Sequence, residues 1–135
     1  MIVIDQVEKL LNGKPPSFDI FNLTDFRNHY EIIKLLKKIN RKSIGIEIKI
    51  NDIRNSVYSH DIGRWMKCIK DIYKFTNLSD NQFILSSGTS SKYGILSYNT
   101  FESILRVCEI NPQKYWQNVE KWLDIRKKVY YDVAS

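Results

Sequence analysis

Ser43-Ile44-Gly45-Ile46-Glu47-Ile48-Lys49-Ile50 is the stretch on which the fold turns. Isoleucine at every second position, with Gly45, Glu47 and Lys49 between, has the period of a half-buried strand. Carried on to Val57, the same region also sets Ile46, Ile50, Ile53 and Val57 at the spacing of one helix face. Nothing at hairpin distance on either side reads as a partner strand. The helical reading is therefore preferred, and the strand is kept as its alternative.

Working outward, the flanks favour helices. Upstream, Asn22 reads as a cap for a helix whose Phe26, Tyr30, Ile33 and Leu36 share a face. Before it, Val3, Val7, Leu10 and Leu11 mark a short amphipathic helix, stopped by Asn12-Gly13-Lys14-Pro15-Pro16. Downstream, Asp61 caps a helix with Ile62, Trp65, Ile69 and Ile72 on one stripe. Ser79 with Gln82, and Asn99 with Glu102, both have the capping-box spacing. Asn111 followed by Pro112 opens a long helix that carries Tyr115, Val119, Trp122 and Val129. The sum is an all-α bundle of five or six helices in one domain over 1–135. It comprises an N-terminal helix and turn (1–16), a Ser/Gly-containing linker (77–98, with a short strand or hairpin allowed in 83–98) and C-terminal helices (99–135).

Composition narrows the function. A hydrophobic share of 43% with 5 Gly and 3 Pro supports a packed core. At 135 residues the chain is shorter than the roughly 250 of an α/β barrel, and no apolar run approaches the roughly 20 of a membrane span. Cys68 and Cys108 make no disulfide framework or zinc pattern, and Asp5 stands where a signal peptide would be basic. A cytoplasmic protein without metal or cofactor is expected. With 21 Lys and Arg against 15 Asp and Glu, the net charge of +6 gathers at Lys37, Lys38, Arg41 and Lys42, and again at Arg126, Lys127 and Lys128. Such clusters attract polyanions. No Gly-rich loop ends in G-K-[ST], which speaks against nucleotide hydrolysis.

Chemistry concentrates in Arg54-Asn55-Ser56-Val57-Tyr58-Ser59-His60. On an unbroken helix Arg54 and His60 would stand about 120° apart, so they converge only if the chain bends between them. Ser59, Asp61 and the new apolar period from Ile62 mark that bend. An imidazole there could take a 2′-hydroxyl proton or give one to the leaving oxygen. The guanidinium of Arg54 would stabilise the phosphorane, and Asn55 would orient either group.

This string, with Asp52-Ile53 before it and Trp65 in the helix after it, resembles the signature of the HEPN superfamily (higher eukaryotes and prokaryotes nucleotide-binding domain). The likeness is closest to the branch found in a DAZ-interacting zinc-finger ubiquitin ligase, and it covers about residues 50–75. The resemblance implies a bundle of four or five helices. It also implies a homodimer in which the Arg and His of two copies form one metal-independent endoribonuclease site. Arg54, Asn55 and His60 would be its catalytic residues. Beside these, the basic residues Lys37, Lys38, Arg41, Lys42 and Arg64, with Tyr58 as the motif's aromatic neighbour, are the expected contacts to single-stranded RNA. Other members serve as RNA-binding or protein-interaction modules, so a non-catalytic adaptor for a protein or RNA in defence or signalling is the second expectation. His29 reads as a surface residue, while Trp65, Trp116, Trp122, Cys68 and Cys108 read as core.

Overall fold

The computed structural model describes residues 1–11, 17–26, 28–55, 60–88 and 98–134. Its centre is a four-stranded sheet in the order β1 (Val3–Ile4), β2 (Ile20–Leu23), β3 (Gly45–Lys49), β4 (Gln82–Ser86), every pair parallel. The helices are α1 (Glu8–Leu11), α2 (His29–Ile39), α3 (Ile50–Asn55), α4 (Ile62–Leu78), α5 (Tyr98–Val107) and α6 (Pro112–Ala134). The fold is thus α/β, which overturns both the all-α bundle and the helical fold implied by the HEPN resemblance.

The deciding stretch is the central strand, and the reason is one of distance. Parallel strands cannot join through a hairpin; each needs a crossover of a dozen residues or more. The partners of β3 are therefore β2 and β4, each one helical crossover away and invisible at hairpin range. Other expectations yield to the same sheet. Asn22 lies inside β2 instead of capping a helix, and Asn28 is the N-cap of α2. Phe83-Ile84-Leu85 belongs to β4, while Ser79 ends α4. The N-terminal segment supplies edge strand β1 before the short α1. The turn at 12–16 and the linker centre at 89–97 lie outside the described residues.

Alternation along the strands sorts side chains between two layers. Phe21, Ile46 and Phe83 align across the sheet, as do Leu23, Ile48 and Leu85. On that side α4 buries Cys68, Ile69, Ile72 and Phe75, Tyr73 meets Phe83 edge-on at 5.9 Å, and α2 packs on α4. α6 covers the opposite face around Gly45. A Cβ there would stand 2.7 Å from Ile84 and 3.1 Å from Trp122, so only glycine lets the indole lie so close to the sheet.

Two buried ties fasten α6. The Tyr115 hydroxyl accepts from Leu85 N–H at 2.8 Å and donates to Leu85 C=O at 3.2 Å. Arg126 pairs with Asp19 at 2.9 Å, both carboxylate and guanidinium largely withdrawn from water.

Candidate functional site

The sheet separates the predicted site residues into two groups. Arg54 and Asn55 end α3, which follows directly from the carboxyl end of β3, and His60 stands in the turn before the α4 cap. Arg54 and His60 line one cleft of about 520 Å³ with Ile50, Ile53, Trp65, Thr100 and Ile104. Arg54 and His60 thus share one concavity, while residues 56–59, where the sequence places the bend, lie outside the described residues. Asn55 is exposed and is not among the lining groups. Tyr58 lies outside the described residues. Open parallel sheets place ligands at the carboxyl ends of their strands, which is where this cleft lies.

Arg64 takes part in a neighbouring cleft of about 310 Å³ with Phe26, His29, Tyr30 and Lys67. Its guanidinium pairs with Asp61 at 3.4 Å, and Asp61 Oδ1 accepts the Arg64 N–H at 3.1 Å to cap α4. His29 is the group the sequence misplaced: it is only 5% exposed, and its Nε2 lies 2.8 Å from Asp71 Oδ2. Lys67 is 3.7 Å from the same carboxylate. Burial pushes the Asp71 pKa up, but hydrogen bonds to His29 and Tyr30 and the Lys67 charge outweigh it, so the net shift is downward. His29 opens α2 and Asp71 sits within α4, so no local pattern links them.

The basic residues occupy the opposite end of the sheet. Lys37 and Lys38 are in the last turn of α2, which Asn40 closes in the left-handed conformation at φ 55°. Arg41 follows, its guanidinium 5.2 Å from the centre of the Phe18 ring, and Lys42 lies 3.9 Å from Asp80. The next residue, Ser43, accepts at its carbonyl from Trp122 Nε1 at 2.9 Å and from the Arg126 guanidinium. The second basic run thereby reaches the edge that carries the first. Lys37, Lys38, Lys42, Lys127 and Lys128 are all exposed. The five residues of β3, at about 3.3 Å each, leave roughly 16 Å between this edge and the Arg54 cleft.

The cysteines are core groups. Burial, with Asp71 nearby, pushes the Cys68 thiol up to about 12, and burial takes Cys108 to about 11. Among the described residues no cluster of three or more His, Cys, Asp or Glu could hold a metal ion. Among them, too, no helix is long and apolar enough to cross a membrane. Trp122 is buried and Trp65 half-buried, whereas Trp116 is 37% exposed, against its reading as core. No family model matches the chain, and neither a curated protein nor a solved structure matches it.

Proposed function

We propose that this chain is an RNA-binding α/β domain that holds the phosphate backbone along the amino-terminal edge of its sheet. The observation that carries the reading is that Arg126, at the head of the second basic run, binds the carbonyl of Ser43, the residue directly after the Lys37–Lys42 run. Charges scattered along a sequence add little, whereas charges gathered on one edge release counterions together. Lys37, Lys38, Arg41, Lys42, Lys127 and Lys128 give six cations for that edge. At about 0.7 per phosphate on a single strand, the logarithm of affinity should fall against log salt with a slope of about −4. Fluorescence anisotropy with a labelled single-stranded RNA tests this. Replacing Lys37, Lys38, Lys127 and Lys128 by Gln should weaken binding and flatten the slope by roughly 3. A wild-type slope near zero, or an unchanged slope in that variant, rejects the proposal.

A second reading, metal-independent RNA cleavage, rests on Arg54 and His60 sharing a cleft. The parallel sheet replaces the helical bundle of the HEPN resemblance, and this reading keeps from that resemblance only the chemistry of these side chains. A single imidazole serves as base or as acid at one moment, not both, and most of the groups around it are apolar, which is why binding ranks first. Cleavage in EDTA to 2′,3′-cyclic ends, abolished by His60→Ala and by Arg54→Ala, would establish the second reading. Intact RNA leaves binding alone.

A further inference from the structure

We propose that Tyr98 and Trp116 form a stacking site for an unpaired nucleobase, a site that rests on the RNA-binding reading and specifies single-stranded RNA as the ligand. Tyr98 is 61% exposed at the start of α5, and Trp116 is 37% exposed in the second turn of α6. Their rings are near parallel, 17° apart in tilt with centroids 6.4 Å apart. Tyr98 is thus the exposed end of a ring stack that runs through Trp116 to Phe101, and a flat ligand can extend that stack.

The inner side of the platform is fixed. Phe101 stacks on Trp116 at 5.3 Å, and Tyr115 meets it at 5.1 Å and 62°. Both supports are buried, so the indole is held before any ligand arrives and little side-chain freedom is lost on binding. The cleft around the rings measures about 600 Å³, within the range of small-ligand sites.

Its rim selects the base over the phosphate. Gln113 and Gln117 line it with amides that can donate to and accept from a base edge. Glu102 and Glu120 also line it, and they repel a phosphate group. Arg106, 3.8 Å from Glu102, offsets part of that charge. Phosphates would instead follow the basic edge, some eleven residues or about 16 Å further along α6 at Lys127. Base-on-aromatic stacking tolerates any base, so the site favours an exposed single strand over a duplex without reading sequence.

The test is anisotropy with a labelled oligoadenylate RNA and with an RNA duplex of equal length. Tyr98→Ala and Trp116→Ala should each weaken single-strand binding about tenfold while leaving duplex binding and the salt slope unchanged. Tyr98→Phe and Trp116→Phe keep a ring and should retain most of the affinity. Far-UV circular dichroism checks that every variant is folded. Alanine variants that bind the single strand like wild type, while the four-lysine variant still loses it, overturn the stacking site and leave the RNA reading intact. Dependence on both rings for an arginine-rich peptide but not for RNA assigns the platform to a protein partner and also overturns it. A wild type that binds neither RNA ends both proposals.

Discussion

At the scale of single residues, the His29 to Asp71 contact ties the start of α2 to the middle of α4 through one hydrogen-bonded pair. The carboxylate pKa is lowered in the folded protein from its ordinary 3.8. A depressed carboxylate stabilises the fold above the unfolded pKa and loses that contribution as pH falls through the folded value. Asp71→Asn should therefore be less stable than wild type at pH 7, and the gap should close below about pH 3.8. Urea midpoints at pH 7, 4 and 3 measure it. A gap that widens towards pH 3 would show that the charge on Asp71 is not what the fold uses. His29, Lys67 and Tyr30 are the groups that face it.

At the scale of elements, β4 is an edge strand, with peptide groups facing outward that a further strand would otherwise pair. α6 takes that role with one side chain, since Tyr115 engages both the N–H and the C=O of Leu85, and Gln82 Nε2 donates to the carbonyl of Phe83 at 2.8 Å. Burial pushes the Tyr115 phenol up to about 12, which keeps it a neutral donor. Tyr115→Phe preserves the ring but leaves two buried backbone groups unmet, at a cost of about 1–3 kcal/mol. Chemical denaturation should show this as a lower midpoint with an unchanged slope. A variant as stable as wild type would mean that water reaches the β4 edge.

At the scale of the whole molecule, Cys68 lies on the buried face of α4 and Cys108 directly after α5, both in the one core. Burial raises both thiols, to about 12 and about 11, so neither is a thiolate at neutral pH. An aromatic disulfide reagent should therefore label them only as fast as the protein opens, and urea should accelerate both together. Fast labelling of Cys108 alone would show that the α5 layer opens by itself.

Short-range features were legible in the sequence because their partners lie a turn or two away. Asp61 as the α4 cap and Pro112 at the start of α6 belong to this class. The isoleucine alternation at residues 44–50 also carried the strand, but each of its partners lay beyond a helical crossover, and a helical period fitted as well. Tertiary structure alone decided that β2, β3 and β4 are parallel neighbours, that His29 meets Asp71 and that Arg126 reaches Ser43, beside the first basic run. Each is a long-range contact whose cost in chain closure is met only by the assembled core, so neither partner announces the other along the chain.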